Sequence, residues 1–251
     1  MHIKKITSHF GKLTAVACLL GCTTNAAVVS LIPTLDNSIY SESNNSNALG
    51  GLFMGLTNGG ATRRALLEFD IAGSIPSGST IDSVVLTLSQ IKIGPAGSTV
   101  FDLHPVLAEW GEGTSSGTGS GGAATPGDAT WNFRLFSTTA WTTAGGDFSA
   151  AVASTNFGTS ITTYSFASTS GMVSNVQAWL NSPATNFGWL MKASTEAGTS
   201  ARELGSGESA VADRPTLTVT YTVPEPGTVG LLGLVALIAS TRRIRSRGDT
   251  R

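Results

Sequence analysis

The stretch Thr216-Leu217-Thr218-Val219-Thr220-Tyr221-Thr222-Val223 alternates threonine with a larger, mainly apolar side chain over its whole length. Successive side chains of a β-strand point to opposite faces of the sheet, so one face of this strand is mainly apolar and the other carries hydroxyl groups. β-Branched and aromatic residues also favour strands over helices. The pattern therefore predicts a strand with one face in the core and the other towards water.

Similar segments precede this strand along most of the chain. The clearest is Arg63–Ile71, in which Ala65, Leu67, Phe69 and Ile71 share one face. Further predicted strands cover residues 36–40, 52–56, 81–90, 99–107, 161–167, 187–192 and 200–205. Some nine short strands with glycine-rich turns, and no repeat of fixed period, favour an all-β fold. We expect one two-sheet β-sandwich of jelly-roll type.

One segment, Ser170–Leu180, has the pattern of a helix. Ser170 can cap its first turn, and Pro183 follows shortly after its end. Its apolar residues recur at helical spacing and share one face: Met172, Val173, Val176, Trp179 and Leu180.

The middle of the chain is rich in glycine. Residues 111–128 include 7 glycines among 18 residues, and most of the others are small and polar. Strand-like sequence resumes at Ala129–Phe133, so we expect a flexible surface loop here and not a linker between domains.

The amino-terminal residues 1–26 have the pattern of a secretory signal peptide. Lys4, Lys5 and Lys12 precede the apolar run Leu13–Gly21, and a small-residue cleavage site ends at Ala26. An alternative is a lipoprotein signal with lipidation at Cys22. Both cysteines of the chain lie in this segment. Ordinary cleavage would leave a mature domain without thiol chemistry, disulfides or cysteine metal sites.

The carboxyl-terminal residues 224–251 form a segment of three parts. Pro224, Glu225 and Pro226 exclude helix and inner strand, because proline fixes φ and restricts its predecessor. Thr228–Ser240 is a run of 13 mainly apolar residues, which is short for a membrane span of about 20. Arginines at positions 242, 243, 245 and 247 follow, and such flanks stay on the cytoplasmic side.

These three parts, in this order, resemble the PEP-CTERM sorting signal of Gram-negative bacteria. The resemblance implies processing near Pro224–Pro226 by exosortase, a membrane protease-transpeptidase, while the chain is transiently anchored in the inner membrane. It implies delivery to the outer surface or to an extracellular, exopolysaccharide-rich matrix. The alternative is an ordinary anchor, which requires the apolar run and the arginines but no Pro-Glu-Pro.

The net charge of −1 hides an uneven distribution. Residues 27–226 carry 7 basic and 15 acidic side chains, a net charge of −8, because the arginines concentrate in the tail. An acidic exported domain is a poor partner for nucleic acid or for an anionic membrane surface.

The order of pieces within residues 27–223 resembles the DNRLRE-type domain of secreted bacterial proteins. The matching pieces are RALLEFD (64–70), IPSGSTI (75–81), EW (109–110), TWN (130–132), VQAW (176–179), FGWL (187–190), RE (202–203, with Ser206 and Glu208) and RPTLTVTY (214–221). The family is similar to carbohydrate-binding modules, so the resemblance implies binding of extracellular polysaccharide. No catalytic module accompanies the domain.

Several residues are candidates for binding. Trp131 and Trp141 flank glycine-rich loops and can stack on sugar rings, although buried tryptophan is common in small β domains. Glu109, Glu112, Asp128 and Asp147 offer hard oxygen ligands for Ca²⁺, although no EF-hand-like loop is present. Arginines 63, 64, 202 and 214 can pair with Glu68, Asp70, Glu203 or Glu208.

His104 is the only histidine after the predicted signal peptide, and no catalytic constellation surrounds it in the sequence. We therefore expect a non-catalytic, exported protein that binds polysaccharide. The alternatives are a purely structural surface protein without a sugar site, and a polysaccharide lyase or hydrolase.

Overall fold

The last strand within the described residues is the segment that the alternation predicted. The computed structural model describes residues 25–224, and Thr216–Val223 form a strand that is hydrogen-bonded to a neighbour on each side. Leu217 and Val219 are fully buried in the core. The predicted inward face is therefore confirmed where the strand is most enclosed.

The all-β class is confirmed for the described residues, which contain a single α-helix, α1 (Ser170–Asn181). Short 3₁₀-helices cover Pro183–Thr185 and Val211–Asp213. Five strands, the first, third, eighth, tenth and eleventh, lie outside every predicted strand. The strands are β1 (Asn25–Leu31), β2 (Leu35–Tyr40), β3 (Asn45–Ser46), β4 (Leu52–Leu56), β5 (Thr62–Glu68), β6 (Thr80–Ile93), β7 (Thr99–Pro105), β8 (Gly122–Ala123), β9 (Phe133–Leu135), β10 (Thr139–Ala140), β11 (Ala153–Phe157), β12 (Thr163–Phe166), β13 (Trp189–Ala193), β14 (Arg202–Leu204) and β15 (Thr216–Val223).

Thirteen of these strands form one antiparallel sheet, with the main order β1-β15-β6-β14-β4-β5-β13-β7-β11. Strand β12 adds to β6, strand β2 adds to β5, and β3 connects β2 to β8, whereas β9 and β10 pair separately. The long strand β6 pairs with β15 along its first half and with β14 near its end. β6 therefore connects β1 and β15, at one end of the sheet, to the strands that run from β14 to β11.

The larger core cluster is covered by α1. Four residues of its predicted apolar face are buried (Met172, Val176, Trp179 and Leu180), and Val173 is half-buried. Trp179 of α1 packs against Trp189 of β13, with the ring centroids 4.6 Å apart. The predicted cap is wrong by one residue. Thr169, not Ser170, accepts the amide hydrogen bond from Met172 at 3.1 Å, because Thr169 is the residue with extended backbone before the first turn.

Strands β5 and β13 have buried side chains on both faces, as does β7 near its end at Leu103 and His104. Leu67 of β5 packs in the larger core cluster, whereas its neighbour Leu66 packs in a second cluster with Trp110, Trp141 and Leu190. The second cluster is covered by chain that follows β7 and precedes β11. Residues along β5 therefore alternate between two packed faces, and not between a core face and a solvent face.

The glycine-rich segment 111–128 is ordered by packing, contrary to the flexible loop that we expected. The amide of Leu49 donates to the carbonyl of Ser115 at 2.9 Å, and that of Ala129 donates to Gly111 at 2.7 Å. Asp128 and Ala129 are fully buried. The small residues allow this segment to lie close against the sheet, which composition alone does not reveal.

Residues 25–224 form one compact unit. Within that span, no helix combines the length and the apolar composition needed to cross a bilayer. The predicted signal peptide lies outside the described residues except for Asn25 and Ala26, which begin β1. Glu225, Pro226, the apolar run and the arginine cluster also lie outside them. The predicted domain limits of 27–223 stay a prediction.

Candidate functional sites

A cleft of about 570 Å³ opens between β5 and the loops that follow β7 and precede β11. Its volume falls within the range of small-molecule sites, about 300–1,000 Å³. Charged, hydroxyl-bearing and aromatic groups line it together. The lining residues are Arg64, Leu107, Ala108, Thr142, Thr143, Ala144, Gly146, Asp147 and Phe148.

Arg64 is the basic residue of this cleft, and its guanidinium is bonded to other residues of the same chain. Its Nε and Nη2 donate to the two carboxylate oxygens of Glu196 at 2.9 and 2.8 Å, and Nη1 donates to the carbonyl of Gly145 at 2.7 Å. The guanidinium carbon lies 4.6 Å from the ring centroid of Trp131 and 5.3 Å from that of Phe148. These contacts fix the side chain and neutralise its charge locally.

The turn Thr142–Asp147 forms one wall of the cleft, and Asp147 holds it. The carboxylate of Asp147 accepts amide hydrogen bonds from Thr142 and Thr143, both at 2.8 Å. Gly145 has φ +92°, and a Cβ atom there would lie 2.8 Å from Cζ2 of Trp131. Only glycine therefore suits this position, which lets the turn approach the indole ring closely.

The two candidate tryptophans have different environments. Trp141 is 5% exposed, packs in the second core cluster and donates from Nε1 to the carbonyl of Thr130 at 2.9 Å. Trp131 is half-buried, and Arg64 covers one face of its ring. Stacking on a sugar requires an exposed ring face, so the burial of Trp141 removes it from the candidate ligand surface. The cleft instead offers Phe148, which no sequence pattern indicated.

A second candidate site is a cluster of three carboxylates from distant parts of the chain. Asp36 of β2, Glu112 after β7 and Glu208 between β14 and β15 each place one oxygen within 4.8 Å of the others. Glu112 Oε1 accepts the amide hydrogen bond of Asp36 at 2.8 Å, and Asp36 Oδ2 accepts that of Gly207 at 2.6 Å. Asp36 is buried, Glu112 half-buried and Glu208 exposed.

The environment of these carboxylates disfavours their charged forms. Burial, together with the charges of Glu208 and Glu112, raises the pKa of Asp36 from 3.8 to about 8, against the opposing amide of Gly207. Burial also raises the pKa of Glu112, with smaller contributions from Glu208 and Asp128. Asp36 Oδ1 is buried and accepts no hydrogen bond from the described residues.

Of the four acidic residues selected from the sequence for Ca²⁺, only Glu112 belongs to this cluster. Asp128 is buried and accepts hydrogen bonds from the amide and the hydroxyl of Thr125, so it orders the glycine-rich segment. Asp147 holds the cleft turn, and Glu109 is exposed. Asp36 and Glu208 were missed. The available signal was the polar run Asp36-Asn37-Ser38, which is buried within β2.

A smaller cleft of about 440 Å³ brings Glu68 and Glu109 together with Trp110 and Phe187. Burial and the charge of Glu109 raise the pKa of Glu68 from 4.5 to about 7. A cleft that holds two carboxyl groups, of which Glu68 has a raised pKa, offers the minimal features of acid catalysis on a glycoside, although structural sites also show them.

His104 is buried beside the second core cluster. Its Nδ1 lies 2.8 Å from the carbonyl of Ser149, and its ring packs edge to face on Phe148 at 4.9 Å. These contacts assign it a packing role beneath the cleft.

The arginines pair differently from the prediction. Arg63 pairs with Glu42 at 2.6 Å and Arg64 with Glu196. Arg202 and Arg214 donate to backbone carbonyls instead.

Residues 222–246 match the family model of the PEP-CTERM protein-sorting motif. The match begins at Thr222, inside β15, and includes Pro224, Glu225 and Pro226. No curated protein matches the chain. The sorting signal expected from the tail is thereby confirmed, and it implies an exported protein for which exosortase is the processing partner.

Proposed function

We propose that the exported part is a non-catalytic β-sandwich of jelly-roll, DNRLRE-like type that binds extracellular polysaccharide in the cleft beside Arg64. The observation that carries the proposal is the combination of Phe148, the hydroxyl groups of Thr142 and Thr143, and a fixed guanidinium around one cleft. Aromatic faces pack against the C–H surfaces of sugar rings, and a few fixed polar groups select their hydroxyls.

The charge of the cleft favours a neutral or weakly charged glycan. Arg64 is already paired with Glu196, so it offers no unpaired positive charge to a carboxylate of the ligand. Asp147 adds a negative group to the lining. With a net charge of −8 over residues 27–226, long-range electrostatics also repel a polyuronate. Polyuronate is therefore expected to bind only when Ca²⁺ bridges the carboxylates.

The location of the protein supports a glycan as ligand. A sorting signal that commits the chain to exosortase brings it to the cell envelope, and we propose the outer surface or the exopolysaccharide matrix of a Gram-negative bacterium as its destination. Neutral matrix polysaccharide would be available there at high concentration, so a weak site would suffice. Millimolar affinity corresponds to about 4 kcal/mol.

The experiment is a glycan-array screen of the purified full-length chain in EDTA, followed by titration of each hit. The variant Phe148→Ala should weaken binding several-fold, because one aromatic contact contributes about 0.5–1.5 kcal/mol beyond its buried area. Phe136→Ala is the matched control, since Phe136 is also half-buried but packs against Phe133 away from the cleft. Equal affinities of all three proteins would place the ligand elsewhere. Absence of any glycan ligand would favour the purely structural alternative.

The pair Glu68 and Glu109 favours a second candidate, a polysaccharide hydrolase. A carboxyl group with a pKa of about 7 can stay protonated as a general acid near neutral pH. Incubation of the full-length chain with each glycan hit tests this, with reducing ends as the measurement. Release that Glu68→Gln abolishes, and that Glu203→Gln does not affect, would replace the non-catalytic proposal.

A further inference from the structure

We propose that Asp36, Glu112 and Glu208 bind one divalent cation of the Ca²⁺ type, which ties β2 to the two loops that carry the glutamates. This site is independent of the proposed polysaccharide cleft, and none of its three residues lines that cleft.

The spacing of the three carboxylates suits a single ion. Ca²⁺ lies about 2.3–2.6 Å from its oxygen ligands, so two ligands on opposite sides of one ion are about 5 Å apart at most. One oxygen from each of the three residues lies within 4.8 Å of the others. All three can therefore coordinate the same ion without large movements of the backbone.

A second observation is the buried oxygen of Asp36 that lacks a partner. The residue is 1% exposed, and Oδ2 is held by the amide of Gly207, whereas Oδ1 accepts no hydrogen bond from the described residues. A buried carboxylate oxygen without a donor costs several kcal/mol unless a proton or a cation satisfies it. A cation held between the carboxylates supplies what the fold leaves unsatisfied.

No basic side chain performs this role. The three ion pairs among the described residues join Arg63 to Glu42, Arg64 to Glu196 and Lys92 to Glu203, so none involves the cluster. Burial raises the pKa of both Asp36 and Glu112, and the negative charges of neighbouring carboxylates raise it further. A bound cation would reverse the direction of both shifts.

The donor set selects the class of metal. The cluster provides only carboxylate oxygens, which suit hard cations such as Ca²⁺ and Mg²⁺, whereas zinc and copper favour imidazole and thiolate. One buried, one half-buried and one exposed ligand leave an open side where water completes the coordination. The irregular arrangement and open side favour Ca²⁺, which accepts 6–8 ligands, over Mg²⁺, which requires a regular octahedron.

Thermal unfolding of the full-length chain tests the site. The protein is stripped with EDTA, dialysed, and melted with or without 2 mM CaCl₂ (on the order of the millimolar affinities of extracellular Ca²⁺ sites), and Ca²⁺ binding is measured by calorimetry. We expect Ca²⁺ to raise Tm, because the ion binds the folded chain and not the unfolded one. Glu208→Gln should weaken Ca²⁺ affinity at least tenfold. Glu208 is exposed, so the variant is expected to fold.

Glu109→Gln is the matched control, since Glu109 is an exposed glutamate outside the cluster. It should retain wild-type Ca²⁺ affinity and the wild-type rise in Tm. The proposal is overturned by three results: no Ca²⁺ binding to the wild type, wild-type affinity in Glu208→Gln, or an equal loss in both variants. Because the readouts are metal affinity and Tm, failure of the polysaccharide proposal does not affect them.

Discussion

Arg64 stacks on Trp131, with the guanidinium carbon 4.6 Å from the indole ring centroid. The contact connects β5 to the loop that covers the second core cluster, and it occupies one face of the ring. Trp131 therefore contributes to any ligand surface only through its other face or its edge. Trp141, the other tryptophan selected from the sequence, belongs to the second core cluster.

The first prediction separates these two tryptophans by stability. Trp141→Ala should lower the free energy of unfolding by about 3–5 kcal/mol, because it empties a buried site and leaves the Thr130 carbonyl without its donor. Trp131→Ala should cost less, since its ring is half-buried. Urea denaturation of the full-length variants measures both. Equal losses would contradict the assignment of Trp141 alone to the core.

The second prediction concerns the cap of α1. Thr169→Ala should reduce the free energy of unfolding by about 1 kcal/mol, because the amide of Met172 loses its acceptor. Ser170→Ala is the control and should change stability little, since Ser170 lies inside the first turn and α-helical alanine is favourable. A larger loss in Ser170→Ala would restore the cap assigned from the sequence.

The third prediction is a fall in stability as pH rises. Asp36 and Glu68 have folded-state pKa values of about 8 and 7, raised above their unfolded values of 3.8 and 4.5 mainly by burial. Between about pH 4 and pH 8 the folded protein therefore binds more protons than the unfolded chain, so its stability decreases as pH increases. Melting curves at pH 5, 6, 7 and 8 in EDTA should show a falling Tm.

Glu68→Gln should flatten this fall mainly between pH 5 and pH 7, because it removes the group that titrates there. High salt distinguishes local burial from repulsion between the many surface carboxylates, which it screens. If the slope vanishes in 0.5 M NaCl, where the screening length is only a few ångströms, surface repulsion and not burial causes it. Saturating Ca²⁺ should flatten the contribution of Asp36 if the proposed cation site is correct.

The fourth prediction concerns the sorting motif. Replacing Pro224, Glu225 and Pro226 by alanine should block maturation in the native host, because the family match identifies this segment as the sorting signal. The domain should still fold, since all three residues follow the end of β15. Immunoblots of cell fractions measure maturation. Alanine at Asp249 and Thr250, beyond the matched residues, is the control. Wild-type maturation of the triple variant would contradict the prediction.

The strands with strict alternation or a short apolar run were predictable from the sequence, whereas those with neither were not. β15 has the predicted ends, and its period-two pattern reflects one buried face; β4 also has the predicted ends, although four consecutive residues of its apolar run are buried. β11 has the sequence Ala-Ser-Thr-Asn-Phe, which contains too few apolar residues to show a pattern. β1 lies partly in the predicted signal peptide, where an apolar run has another explanation.

The carboxylate cluster could not be predicted, because sheet register and loop packing bring its residues together. Asp36 and Glu112 are separated by 76 residues along the chain, and Glu208 follows much later. The same reason explains why the second core cluster was missed. The segment that follows β7 covers one face of β5, and the sequence of β5 alone does not show that this face is covered.

The position of β15 has a mechanical consequence. Val223, its last residue, pairs with Asn25 of β1, and the sorting motif follows at Pro224 without a linker. Tension applied through the tail would enter the domain along a strand that is hydrogen-bonded to β1 on one side and to β6 on the other. Two ladders must break before this strand can leave the sheet. A protein held to an envelope at its tail and to a polymer at its cleft would thus be loaded through a strand with neighbours on both sides, and not through an edge that peels away.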